Sequence, residues 1–73
     1  MNARKLYNKE VIDAQGNNIG RVADIDVDMV NGVINHIIVA AGLIKKYEIK
    51  LDKIMTIGDK VILKIQRDEL QKK

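Results

Sequence analysis

The sequence predicts an all-β fold, a small closed barrel of five to six antiparallel strands. Three observations lead there. β-Branched side chains dominate the 73 residues, with twelve isoleucines, seven valines and one threonine, and their stiff χ1 suits a pleated strand better than a helix. Apolar and polar residues alternate with a period of two in several short runs. Turn residues separate those runs, at Gln15-Gly16-Asn17-Asn18, Asn31-Gly32, Ala41-Gly42 and Gly58-Asp59. So short a chain makes one domain with a thin core and has no room for two packed sheets. Closing one sheet on itself removes the edges that would recruit neighbours.

Taken in order, strands are expected at 9–14, 19–30, 33–41, 47–51, 54–57 and 60–65. The second, Arg21-Val22-Ala23-Asp24-Ile25-Asp26-Val27-Asp28-Met29, alternates strictly. Asn31-Gly32 joins it to the third as a hairpin, because both residues accept positive φ. In the fourth, Tyr47, Ile49 and Leu51 share a face opposite Lys46, Glu48 and Lys50. In the last, Val61, Leu63 and Ile65 share a face. The whole chain, 1–73, is one domain with its core at about 6–65, and residues 66–73 form a tail that reads as a short helix or a frayed end. No internal repeat, linker or low-complexity segment interrupts it.

A symmetric hairpin about Asn31-Gly32 sets a register. Ala23, Ile25, Val27 and Met29 then lie opposite Ala40, Ile38, His36 and Ile34 on the core face. The predicted core is Ile25, Val27, Ile34, Ile38, Ile49, Leu51, Val61 and Leu63, and a β-bulge within 21–29 would upset that assignment. The other face carries Val22, Asp24, Asp26, Asp28 and Val30 opposite Ala41, Val39, Ile37, Asn35 and Val33. Apolar residues on a face that should be wet imply a cover.

Composition excludes much chemistry. There is no Cys, Ser, Pro, Trp or Phe; His36 is the only histidine and Thr56 the only aliphatic hydroxyl. Disulfides, zinc sites built on Cys or several His, and Ser or Cys nucleophiles with a His base are removed. The glycines are spaced as turn residues and form no phosphate-binding loop. The expectation is a protein that is not an enzyme and takes no cofactor. The longest apolar run, Ile37-Ile38-Val39-Ala40-Ala41, falls far short of the roughly 20 residues of a membrane helix. Met1-Asn2-Ala3-Arg4-Lys5 leads into no apolar core, so no signal peptide is read. Together with the lack of cysteine this points to the cytoplasm, with no membrane insertion. The net charge of +3 is mild but uneven: acidic residues gather at 10–28 and lysines at 45–53.

Several stretches follow one another in order: Leu6-Tyr7-Asn8-Lys9-Glu10-Val11-Ile12-Asp13, then Gly16-Asn17-Asn18-Ile19-Gly20-Arg21-Val22-Ala23-Asp24, then Gly32-Val33-Ile34-Asn35-His36-Ile37-Ile38-Val39, and last Ile49-Lys50-Leu51-Asp52-Lys53-Ile54 with Ile57-Gly58-Asp59-Lys60-Val61. Together they resemble the PRC-barrel family. The first matches its opening, with Asn8 where the family has Gly. The second is similar to its G-x-x-[IL]-G-x-V-x-D pattern. The third looks like its second hairpin arm, and the last pair looks like its ending, with Lys50 in place of Pro. The resemblance covers Leu6 to Ile65 and implies a six-stranded barrel without catalytic activity that serves as an adaptor or assembly module, in cell-division or other cytoplasmic assemblies for some short stand-alone members. The alternative it leaves open is an RNA- or ribosome-associated maturation factor.

Three constellations are candidates for function. Val22, Val30, Val33, Ile37 and Val39, rimmed by Asp24, Asp26 and Asp28, form an interaction surface for a homodimer or for an unidentified protein. The competing arrangement folds the tail or the Leu43-Ile44 turn over that patch. Asp24, Asp26 and Asp28 mimic the start of a calcium loop, but Met29 stands where its glycine belongs, and alternate strand residues lie roughly 6.5 Å apart; no metal is expected. Lys45, Lys46, Lys50 and Lys53 around Tyr47 are the candidate anion or RNA contacts, with few aromatics to stack bases. His36 is expected on the apolar face beside Met29 and Ile34, as a structural residue.

Overall fold

A computed structural model describes residues 3–72. The strands are β1 (Glu10–Ile12), β2 (Asn18–Asp28), β3 (Val33–Ala41), β4 (Lys45–Lys50), β5 (Ile54–Ile57), β6 (Val61–Leu63) and the short β7 (Gln71–Lys72). Single 3-10 turns occupy Ala3–Leu6, Leu51–Lys53 and Arg67–Glu69. All seven strands lie in one curled sheet in the order β5-β6-β1-β2-β3-β4-β7. The all-β, barrel-like sheet expected from the sequence is found, and two details refine it. The β1–β6 pair is parallel, Val11 lying beside Val61. The end strands β5 and β7 have no ladder between them among the described residues, so the barrel is open along one seam.

The tail contributes to the fold. Gln66 and Glu69 exchange hydrogen bonds around the last 3-10 turn: the Gln66 N–H donates to the Glu69 carboxylate at 2.8 Å and the Glu69 N–H to the Gln66 carbonyl at 3.0 Å. Leu70 packs on the core, and β7 then pairs with β4.

Two irregularities in the β2–β3 hairpin decide which side chains are inside. The register steps past Ala23 between Val22 and Asp24, and past Asn35 between Ile34 and His36. Each extra residue flips the parity of the strand beyond it. Val22 and Ile25, three apart, therefore both reach the core, as do Ile34 and Ile37. Ile25 lies opposite Ile37 rather than Ile38. The core proper is Leu6, Val11, Ile19, Val22, Ile37, Val39, Tyr47, Ile49, Val61 and Leu63, with Ile25 and Ile34 half-buried at its margin.

Three expected core residues are placed differently. Val27, beyond the second irregularity, is exposed. Leu51 is exposed because the chain turns after Lys50 instead of extending β4. Ile38 is buried, but it lies between Ile37 and Val39 and outside the core cluster, on the outer face flanked by Asp24 and Glu48.

Three backbone positions match the pattern of the sequence. Asn8 adopts a φ of 67°, the left-handed region that Asn tolerates better than most residues. Its N–H donates to the Val22 carbonyl at 2.8 Å, and its own carbonyl accepts from the Arg21 guanidinium at 2.8 Å. At Gly20, a Cβ would lie 2.1 Å from the Ala40 carbonyl oxygen, so no other residue lets β2 cross β3 this closely. Lys50 has a φ of −70°, the value a proline would impose.

Candidate functional site

Asp13 is the one buried charged side chain among the described residues. Its carboxylate accepts four hydrogen bonds: from the backbone N–H groups of Gln15 (3.0 Å), Asn17 (2.7 Å) and Arg67 (2.9 Å), and from the Asn17 amide (3.2 Å). Next to it, the Ala14 N–H donates to the Ile65 carbonyl at 2.9 Å. Burial pushes the Asp13 carboxyl upward, yet the donors from Arg67, Asn17 and Gln15 outweigh it and hold the group below the ordinary aspartate value. The residue ties the β1–β2 turn to the tail and is structural. Its Arg67 partner is 54 positions away, beyond the reach of a local pattern.

The expected valine–isoleucine patch does not exist as a surface. Val22, Ile37 and Val39 are at most 1% exposed and belong to the core. The skipped positions at Ala23 and Asn35 turn them inward. Val30 and Val33 are exposed as expected, and they lie at the β2–β3 tip with Met29 and Val27. The Leu43-Ile44 turn covers nothing, since both side chains stand free in solvent.

The three acidic residues of β2 are each engaged locally. Asp24 accepts from the Ile25 N–H at 2.8 Å. Asp26 accepts from the Asn35 amide at 3.1 Å. Asp28 closes the hairpin, accepting from the Val30 and Asn31 N–H groups at 2.9 and 3.2 Å and from the Asn31 amide at 2.8 Å. Those bonds, led by the Asn31 amide, lower its pKa. Among the described residues no three His, Asp or Glu side chains are placed to hold a metal ion.

His36 is on the outer face rather than the apolar one, again through the parity change. Its Nδ1 lies 3.7 Å from Asp26 and 3.5 Å from Glu48. The four lysines do not form one patch. Lys45 and Lys46 open β4 opposite Ala41 and Ala40, whereas Lys50 pairs with His36 at the far end, and Lys53 comes after it in the 3-10 turn. Lys45 and Lys50 are roughly 16 Å apart along the strand, with Glu48 between.

A groove of about 290 Å³ lies between β4, the Leu51–Lys53 turn and the segment 65–70. Ile49, Ile65 and Leu70 give it an apolar floor, and Glu48, Lys50, Lys53 and Glu69 mixed charge. Its residues are scattered between 48 and 70, so no sequence motif announces it. No helix among the described residues is long and apolar enough to cross a membrane.

Comparison with proteins of curated function finds no match. The family model described as the PRC-barrel domain matches residues 1–70 of the 73. Its span takes in both the left-handed Asn8 and the Gly20 crossing. With nearly the whole length matched and an all-β curled sheet of the corresponding class, the chain belongs to the PRC-barrel domain family, a general family of protein-interaction modules that are generally non-catalytic.

Proposed function

We propose that this chain is a non-catalytic interaction module that associates with a second copy of itself and acts as an adaptor or scaffold in a cytoplasmic assembly, of the kind that serves cell division. The observation that carries this reading is the apolar end at the β2–β3 hairpin. Met29 and Val30 are almost fully exposed, and Val27 and Val33 are about half exposed. They project from a turn that Asp28 holds in one conformation, so an association surface there needs little ordering on binding. Asp26 and Asp28 lie beside it, giving an apolar centre with a polar rim. Leu51, also exposed, comes directly after Lys50, which pairs with His36 near the same end of β3. The dispersal of Lys45, Lys46, Lys50 and Lys53 gives the RNA reading no comparable surface.

The test is sedimentation equilibrium of the parent and of the double variant Met29→Lys/Val30→Lys. The parent is expected to dimerise in a concentration-dependent way and the variant to stay monomeric with an unchanged melting temperature. A parent that is monomeric at high micromolar concentration would overturn self-association. A variant that still dimerises would move the interface elsewhere.

A further inference from the structure

The β3–β4 turn is the other apolar end of the molecule. Leu43 and Ile44 are essentially fully exposed, the most exposed adjacent pair of large aliphatic side chains among the described residues. Gly42, with a φ of 74°, starts the turn, and the Ala41–Lys45 pair closes it, so the two side chains form the tip of a narrow finger. Immediately behind the tip come the exposed Lys45 and Lys46. Arg21 lies in the same row across the sheet, because Ala40 pairs with Arg21 on one side and Lys46 on the other. Glu10 stands in this row, 3.8 Å from Arg21 and 3.1 Å from Lys60, and Glu48 lies two positions farther from the tip along β4, so Lys45 and Lys46 are the charges nearest the tip. The acidic residues Asp26 and Asp28 lie towards the opposite end of β3. The long axis of the hairpin is therefore positive at the Leu43-Ile44 tip.

We propose that this tip docks on an anionic lipid surface, with Leu43 and Ile44 entering the interfacial layer and Lys45, Lys46 and Arg21 facing the headgroup phosphates. Two features favour a bilayer over a protein as the occupant. A convex tip of two side chains offers little of the area, on the order of 1,000 Å², that a specific protein contact buries, whereas a bilayer interface accepts apolar groups without a matching shape. Aliphatic residues backed by a cationic collar also have the charge and polarity profile of an interfacial anchor, and each Lys or Arg near an anionic surface adds attraction. The binding is peripheral and reversible. The expectation of no membrane insertion rests on the lack of a long apolar run, a criterion that a two-residue tip escapes.

Flotation with phosphatidylcholine vesicles, with and without phosphatidylserine, tests this directly. The parent is expected to float only with the anionic vesicles and to be released by high salt. Leu43→Gln/Ile44→Gln should lower vesicle affinity by roughly tenfold or more, and Lys45→Gln/Lys46→Gln should weaken it as well. Measured at concentrations where the parent is itself monomeric, so that paired tips add no avidity, Met29→Gln/Val30→Gln at the other end should leave it unchanged, which separates this proposal from self-association. All three variants change exposed side chains, so melting temperatures serve as the folding control. The chain has no tryptophan, so Leu43→Trp is a sole reporter whose emission should shift to the blue on anionic vesicles. Failure to float with phosphatidylserine would overturn the proposal. So would flotation that survives Leu43→Gln/Ile44→Gln, which would mean adsorption by charge alone. Loss of self-association in that tip variant, without vesicle binding by the parent, would assign the tip to a protein contact instead.

Discussion

Asp13 and Asp28 close turns with nearly the same donors. Each accepts from the N–H two residues on and from the backbone and side-chain amides of a nearby asparagine, Asn17 or Asn31. The difference lies beyond the turn. Asp13 is buried and takes a further hydrogen bond from Arg67, so one carboxylate fixes the β1–β2 turn and the tail together. Asp28 serves only its own loop, at an exposed tip. Closely similar local chemistry thus holds distant segments together at one turn and shapes an exposed apolar end at the other.

Removing each carboxylate in turn tests this contrast most severely. Asp13→Ala takes the acceptor from the part-buried hydrogen bonds of the Gln15, Asn17 and Arg67 N–H groups. It should lower the melting temperature by roughly 10 °C or more and increase hydrogen exchange in β7 as well as in the turn. If only the turn lost protection, Asp13 would not be coupling the two regions.

Acid titration is the second test. Both carboxyls have folded pKa values below the ordinary aspartate value of about 3.9. The stability they contribute is full above that unfolded value and is lost as pH falls through the lowered folded ones. Chemical denaturation should therefore show the parent weakening below about pH 4. Asp13→Asn, with no carboxyl to protonate, should give a flatter acid profile than the parent. A profile as steep as the parent's would assign the acid sensitivity to other groups.

The smallest effect is expected from Asp28→Ala. Its melting temperature should fall by no more than about 4 °C, as for a surface substitution. The dimerisation constant should weaken more noticeably, because Met29 and Val30 would no longer be held ready. Unchanged dimerisation, measured by sedimentation, would show that the turn's rigidity does not matter to binding.

What can be read from the sequence is local. Asn31-Gly32 marks the hairpin, and alternation marks β2, β3 and β4 with small errors at their ends. Period-two reasoning fails where a single residue is skipped: Ala23 and Asn35 move Val22, Ile37 and Val39 from the expected surface into the core. Nothing in the composition around either position signals a bulge. The extended reading of β4 places Leu51 inside because a 3-10 turn starting there has no marker in Lys50-Leu51-Asp52-Lys53. Contacts between distant segments, namely β1 with β6, Asp13 with Arg67 and the groove between β4 and the tail, leave no spacing pattern in the sequence. Of the surface expected to mediate association, Val30 and Val33 remain outside. Met29, Leu43 and Ile44 are visible as apolar residues in the sequence but become recognisable as ends only once the hairpins are built.

The parallel pairing of Val11 with Val61 also favours an order of assembly, on loop-closure grounds. β2, β3 and β4 join through tight turns and can zip up from contacts close in sequence. β1 pairs locally with β2 but must wait for a strand fifty residues later before its second edge is covered. Loop closure over that span is the slow part of the search, and relative contact order is raised by it. Until β6 arrives, a three-strand meander with β1 on its flank presents an open ladder to any neighbouring chain. The kinetic hazard of this small barrel therefore lies at β1, and a substitution that slows the docking of β6 should raise aggregation during refolding more than it lowers equilibrium stability.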